Sequence, residues 1–173
     1  MSKELVLQVR PSSSASIPSL PVASRLDTGA THVAEPEGLE ELISRVMSQG
    51  ADVSFDVVGT SATTQVALRF ARAGGSCVIV GLPPQGERLT LEFVDFNRRE
   101  KWLSGTMYGS EDPAVALPIL LDHVRSGSLD LASMVGPSYC LEQVNEAFEA
   151  SLAGSAKRVL ISPSGVVSAT TMQ

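Results

Sequence analysis

The sequence is poor in aromatic residues, with one Trp, two Tyr and five Phe in 173 positions, so any core must be built from aliphatic and small side chains. Only two cysteines occur, Cys77 inside an apolar run and Cys140 far along the chain, which excludes a disulfide framework and a Cys-x-x-Cys metal site. Two buried or half-buried thiols in a reducing compartment follow from that. Histidine is as scarce: His32 and His123 show no ligand spacing with each other or with the cysteines, and solvent or helix-face positions suit them better than acid/base work. Basic residues are outnumbered, 13 against 19 acids, and a net charge of −6 argues against nucleic acid or anionic lipid as a partner. No apolar run is long enough to span a bilayer, and Met1-Ser2-Lys3-Glu4-Leu5 lacks the apolar stretch of a signal peptide, so a cytoplasmic protein that meets small molecules or other proteins is expected. Glycine is present at 14 positions, yet no three are arranged as Gly-x-Gly-x-x-Gly.

What is present reads as alternating strands and helices. The composition is 43% hydrophobic, enough for one domain with a core. Leu5-Val6-Leu7-Gln8-Val9 has the β-branched and large apolar residues of a short buried strand. Pro11 to Pro21, dense in Ser and Pro, favours loop. Thr31-His32-Val33-Ala34 reads as another short strand. Leu39, Leu42, Ile43, Val46 and Met47 then fall on one helical face that stops at Gly50. The acids Glu35, Glu37, Glu40 and Glu41 near its start favour the helix dipole and solubility.

The most informative stretch runs from Gly50 to Tyr108. Val53 to Val58 reads as a strand ending at Gly59, Ser61 as the cap of a helix with Val66, Ala67, Phe70 and Ala71 on its apolar face, and Gly74-Gly75 as its stop. Ser76-Cys77-Val78-Ile79-Val80 is the next strand, and a strand-helix-strand unit of this length makes the two strands parallel. Gly81-Leu82-Pro83-Pro84 then brings bare backbone to the carboxyl edge of the sheet, where open α/β proteins bind ligands. Asp56, acidic and at a strand end, reads as a cap for the following helix or a partner for backbone amides rather than a catalytic group, because no base lies near it in the pattern. Trp102 is expected to be buried in the strand before Gly105. Further on, Asp112-Pro113 starts a helix with Leu117, Leu120, Leu121 and Val124 on one face up to Gly127; Val144, Ala147, Phe148 and Leu152 mark another before Gly154; and Arg158-Val159-Leu160-Ile161 reads as a last strand.

The pieces Gly29-Ala30-Thr31-His32-Val33, Gly50-Ala51-Asp52-Val53-Ser54-Phe55-Asp56-Val57-Val58-Gly59, Ala73-Gly74-Gly75, Val78-Ile79-Val80-Gly81-Leu82-Pro83, Gly105-Thr106-Met107-Tyr108-Gly109-Ser110, Asn145-Glu146-Ala147-Phe148 and Lys157-Arg158-Val159-Leu160 come in a recognisable order. That order resembles the C-terminal part of the cofactor-binding domain in the medium-chain, zinc-type alcohol dehydrogenase and quinone reductase superfamily. The resemblance implies an α/β fold, an incomplete Rossmann-like doubly wound parallel sheet lacking its first βα unit. Residues 1–22 would be an atypical, partly disordered N-terminal segment, 23–163 a truncated dinucleotide-binding domain, and 164–173 a flexible tail. It further implies hydride transfer between NAD or NADP and an alcohol, carbonyl or enone. By the same resemblance Val57, Val58 and Gly59 lie against the nucleotide. Val80, Gly81 and Leu82, with Thr106 and Tyr108, hold the nicotinamide carboxamide through backbone groups. Lys157 reaches the cofactor phosphates, with Arg158 as its competitor. For Tyr108 two roles stay open, contact with the nicotinamide and simple packing.

The departures from the family pattern bear on activity. The Gly-x-Gly-x-x-Gly turn that holds the pyrophosphate has no counterpart, and the acid expected on the ribose would fall near Ser16, among Ser and Pro. NAD and NADP are therefore not distinguished. The family's N-terminal catalytic domain with its zinc ligands is missing, so no zinc is expected in this chain. Two readings follow: a truncated oxidoreductase with little or no activity alone, or a non-catalytic module that forms a homodimer or heterodimer by sheet pairing through residues 101–108. An intact enzyme with a rebuilt phosphate site is a less favoured third. Because the missing first strand is central in the 3-2-1-4-5-6 order, Leu5 to Val9 is expected to substitute for a missing strand.

Overall fold

The computed structural model describes residues 4–7, 30–34, 36–153 and 158–163. They fall into two compact units, one holding 4–7, 34 and 36–110, the other 30–33, 111–153 and 158–163.

In the first unit the apolar runs form a four-stranded parallel sheet. Its strands are β1 (Glu4–Leu7), β2 (Ala51–Asp56), β3 (Ala71–Ile79) and β4 (Trp102–Gly105), in the order β1-β2-β3-β4. The helices are α1 (Leu39–Val46), α2 (Ser61–Phe70) and α3 (Phe93–Arg98). β1 pairs in parallel with β2, Val6 beside Phe55, and so covers the edge that a missing central strand would leave open. This is the substitution expected of Leu5 to Val9, although Gln8 and Val9 lie outside the described residues. β2 and β3 flank α2 as a parallel crossover, and β3 continues to β4 with Cys77 beside Leu103.

Alternation along the strands decides which side chains reach the core. Cys77 is fully buried and packs with Ala67 and Leu68 of α2, and Leu91, Phe96 and Leu103 close around them. Small residues let α2 lie close to the sheet, and Ser54 of β2 donates its hydroxyl to the Ala67 carbonyl at 2.8 Å. The far end of α2 is fastened by Lys101, whose side chain is 2% exposed. Its ammonium donates to the Leu68 carbonyl at 2.8 Å and the Arg69 carbonyl at 3.3 Å, and lies 3.7 Å from Asp95. A cation at the carbonyl end of a helix meets both the unpaired carbonyls and the dipole. Burial pulls the Lys101 pKa below the ordinary lysine value, with Asp95 opposing the shift.

Several sequence expectations are corrected here. Thr31 to Ala34 form no strand: they pair with none of the described strands. Thr60, not Ser61, caps α2. Gly74 and Gly75 do not stop that helix: Phe70 ends it, Ala71 is already extended, and both glycines lie inside β3. There they serve an irregularity, as the pairing slips between Ala51 with Ala71 and Val53 with Ser76, and Gly74 takes a φ of 68°. Trp102 is not buried but 70% exposed. Because Leu103 turns into the core, its neighbour on the pleat turns to the opposite face. The six-residue helix α3 lies between Pro84 and Trp102, where the sequence pattern marked no element.

The second unit contains α4 (Pro113–Arg125), β5 (Val135–Cys140), α5 (Val144–Ala153) and β6 (Arg158–Ser162). Asp112 caps α4 by accepting from the Ala114 amide at 2.8 Å, with Pro113 at the first helical position as the sequence indicated. β5 and β6 form their own two-stranded parallel sheet, Tyr139 beside Ile161. β5 escaped the sequence reading because Gly136 and Pro137 interrupt its apolar pattern. His32 and His123 are exposed, as expected, and His123 pairs with the Ser128 hydroxyl at 2.9 Å.

Burial pushes the Cys77 thiol above its ordinary value of 9.0. An acid whose folded pKa is raised stabilises the fold below its unfolded pKa, and that contribution is lost as pH rises toward the folded one, because the unfolded thiol ionises first. The stability advantage of wild type over Cys77→Ala, measured by urea unfolding, should therefore shrink above pH 9 and stay constant below pH 8. A difference that grows above pH 9 would contradict it.

Candidate functional site

Parallel strands β2, β3 and β4 end on the same edge, so their following residues meet there whatever their side chains. Val57-Val58-Gly59 follow β2, Val80-Gly81-Leu82 follow β3 and Thr106-Met107-Tyr108 follow β4. Eight of the nine residues singled out from the sequence are thus brought to one edge; the ninth, Lys157, lies outside the described residues.

Asp56 holds two of these segments in place. The residue is 1% exposed, and its side chain accepts four hydrogen bonds: the Val58 and Gly59 amides on Oδ1 at 3.0 and 3.1 Å, and the Thr63 and Thr64 hydroxyls on Oδ2 at 3.1 and 2.6 Å. The carboxylate thus folds the chain after β2 back onto the first turn of α2. Its main-chain carbonyl accepts the Val80 amide at 2.8 Å and the Gly81 amide at 3.0 Å, which fastens the end of β3 to the end of β2. Thr63 takes part twice, since Thr60 and Thr63 also exchange side-chain and backbone bonds as a capping box. The sequence reading of Asp56 as a helix-capping and amide-binding acid agrees with this geometry. Thr60 and Thr63 were missed, and Thr-x-x-Thr after the strand was the available signal.

The two glycines have a steric reason. A Cβ on Gly81 would strike the Val58 backbone and one on Gly59 would strike the Gly81 carbonyl, while Gly59 itself has a φ of 82°. Backbone therefore lies on backbone where the ends of β2 and β3 meet. The amides of Val80 and Gly81 are spent on Asp56, whereas Leu82 has no hydrogen-bond partner among the described residues and is strongly exposed. On β4 the Thr106 amide is bonded to the Ile79 carbonyl at 3.0 Å. Tyr108, Gly109 and Ser110 all take positive φ, 50°, 76° and 59°, closed by a 2.9 Å contact between the Thr106 and Ser110 hydroxyls. This left-handed turn leaves Tyr108 85% exposed, so of its two open roles, packing within the described residues is not the one observed.

A carboxamide needs one donor and one acceptor fixed in space, and unpaired strand-end backbone offers both. The edge fits the nicotinamide end of a dinucleotide in that sense. It offers no glycine turn for a pyrophosphate, since none is in the sequence. Among the described residues no group of three or more His, Cys, Asp or Glu could hold a metal ion: Cys77 is enclosed in the sheet, and Cys140 is half-buried with its thiol on the Gln143 side-chain carbonyl at 3.1 Å. A cavity of about 530 Å3 lies by the amino end of β4 instead, floored by Leu68, Leu91 and Phe96 and rimmed by Arg69, Arg99 and Lys101.

Removing the Asp56 carboxylate strands two amides and two hydroxyls in the interior. Asp56→Ala should lower unfolding stability by about 3 kcal/mol and Asp56→Asn by about half of that, because one oxygen acceptor remains. Gly81→Ala should cost about 2 kcal/mol by forcing the two backbones apart. Urea denaturation tests all three; a loss below about 0.5 kcal/mol in Asp56→Ala would refute the role given to the carboxylate.

The sequence profile of zinc-binding dehydrogenases matches residues 21–122. Sorbitol dehydrogenase of Bacillus subtilis is 34% identical over 128 residues, covering 72% of this chain and 35% of the relative. Alcohol dehydrogenase-like 7 of Arabidopsis thaliana is 30% identical over 73% of this chain and 33% of its own length. The chain therefore spans about a third of the length of these curated relatives. Among solved structures, benzyl alcohol dehydrogenase from Acinetobacter calcoaceticus superposes with a TM-score of 0.75 at 20% identity, over 81% of this chain and 39% of that one. A zinc-binding dehydrogenase from Sinorhizobium meliloti, solved bound to NADP, superposes with a TM-score of 0.65 at 24% identity, over 82% of this chain and 42% of that one. The strand ends assembled around Asp56 and the profile match agree: the chain belongs to the zinc-binding dehydrogenase family of alcohol dehydrogenase-like oxidoreductases, and carries the C-terminal part of its Rossmann-like NAD(P)-binding domain.

Proposed function

We propose that the edge formed by Val57-Val58-Gly59, Val80-Gly81-Leu82 and Thr106-Met107-Tyr108 is the nicotinamide side of a dinucleotide site, serving hydride transfer between NAD or NADP and an alcohol, carbonyl or enone. The observation that carries this reading is the meeting of three parallel strand ends at one edge, where Gly59 lies backbone on backbone against Gly81 and Leu82 has no hydrogen-bond partner among the described residues. When bound, the nicotinamide ring accepts or gives the hydride. The work of this chain is to orient the ring: strand-end backbone holds the carboxamide, and the exposed Tyr108 ring is available to meet the nicotinamide. Lys157 would meet the phosphates. Asp56 takes no part in proton transfer, since it is enclosed and saturated with donors. The groups that act on substrate would come from outside these residues, and the chain alone would have little or no dehydrogenase activity. In this reading 23–163 is the functional body, with 1–22 and 164–173 as appendages, and a reducing cytosol keeps Cys77 and Cys140 as thiols.

A second reading, a dimerisation or interaction module, is favoured by β4. It is the last strand of its sheet, no strand among the described residues pairs with its outer edge, and Trp102, Met107 and Tyr108 are strongly exposed beside it. Lys101 does not belong to that surface, because its ammonium is committed to the α2 carbonyls.

Calorimetric titration with NADH and NADPH, with light scattering on the same sample, separates the readings. The nicotinamide-site reading predicts saturable binding by a folded chain, weaker than about 0.1 mM because no glycine turn holds the pyrophosphate. A folded dimer with no binding up to several millimolar would refute that reading and leave the interaction module.

A further inference from the structure

The first turn of any helix leaves four amides without helical partners. In α2 these belong to Thr60, Ser61, Ala62 and Thr63. Thr60 and Thr63 satisfy each other, the Thr60 amide on the Thr63 hydroxyl at 3.1 Å and the Thr63 amide on the Thr60 hydroxyl at 3.3 Å. The Ser61 amide donates instead to a carboxylate 26 positions along, Glu87 Oε1 at 2.9 Å. Ala62 has no amide partner among the described residues.

Glu87 lies midway in the segment that joins β3 to α3, and this segment begins with the strand end Val80-Gly81-Leu82. One end is pinned by the Val80 and Gly81 amides on the Asp56 carbonyl, the other by Leu91 against the Ala67, Leu68 and Cys77 cluster. Between them Pro83 and Pro84 fix two φ angles. A turn follows in which the Glu87 amide donates to the Pro84 carbonyl at 3.1 Å and Gly86 takes a φ of 90°, returning the chain toward α2. Among the described residues Glu87 is the only side chain from Pro83 to Thr90 that hydrogen-bonds to α2. Its charge is well placed, since a carboxylate at the amino end of a ten-residue helix is favoured by the helix dipole.

We propose that Glu87 is the clasp that holds this strap against α2 and so, beyond the Val80 and Gly81 amides that Asp56 already holds, positions the Leu82 backbone at the ligand edge. The clasp itself is independent of any ligand; its effect on binding rests on the nicotinamide-site reading. Glu87 is a positioning residue, acting through the strap and touching no reacting atom.

Amide hydrogen exchange of the full chain tests the clasp directly, with Ala62 as the internal reference. After correction for intrinsic rates, Ser61 should exchange about fivefold more slowly than Ala62 in wild type, at the same rate as Ala62 in Glu87→Ala, and at an intermediate rate in Glu87→Gln, which keeps a neutral acceptor. Equal rates at Ser61 and Ala62 in wild type, or an unchanged Ser61 in Glu87→Ala, would overturn the clasp. On the same samples NADH affinity should fall at least about threefold in Glu87→Ala and recover in part in Glu87→Gln, with the urea midpoint of both close to wild type. Release of Ser61 with NADH affinity unchanged would overturn the positioning role. Absence of NADH binding in wild type would instead defeat the nicotinamide-site reading, while the exchange comparison still decides the clasp.

Discussion

A buried carboxylate with four donors on its side chain and two more on its main-chain oxygen is the constraint on which the ligand edge depends. Asp56 ends β2, turns the chain through Val58 and Gly59, anchors the hydroxyls of Thr63 and Thr64, and receives the amides of Val80 and Gly81. An ionised group in the interior is tolerated only when its lone pairs are satisfied, and here each oxygen has two donors. The same bonds that compensate its burial define the positions of two strand ends. Stability and site geometry are therefore one network, so the acid can be indispensable to the site without taking part in chemistry.

The opposite end of α2 follows the same logic with the sign reversed. Lys101 brings a buried ammonium to the Leu68 and Arg69 carbonyls, where the helix presents unpaired acceptors. Between Asp56 and Lys101 the helix is held at both termini by charges of the sign its dipole favours. Direct packing between α2 and the sheet is modest, resting on Ala67, Leu68, Cys77 and Ser54. With so little bulk in the core, polar fastening of the helix ends takes a larger share of the work than in an aromatic-rich domain.

Much of this was legible in the sequence, for identifiable reasons. Strong periodicity announced α1, α2, β2 and β3, and the Asp112-Pro113 pair announced α4. The convergence of Val57 to Gly59, Val80 to Leu82 and Thr106 to Tyr108 follows from parallel topology, which the strand-helix-strand spacing already required. Trp102 was misread because large aromatic residues are usually covered, and only the register with Leu103 reveals which face it takes. Gly74-Gly75 looked like a helix stop because local sequence does not distinguish that from a bulge in the following strand. β5 was hidden by Gly136 and Pro137. The contacts of Lys101 and Glu87 span 33 and 26 positions, and no local pattern encodes a partner at such separation.

The central claim, that the strand ends organised by Asp56 receive a nicotinamide, is most directly tested by amide chemical-shift mapping with reduced nicotinamide mononucleotide, which carries no adenosine. The account predicts shifts concentrated at Val58, Gly59, Gly81, Leu82, Met107 and Tyr108. Shifts at Leu68, Leu91, Phe96 and Lys101, around the cavity by the amino end of β4, or none at saturating ligand, would contradict it.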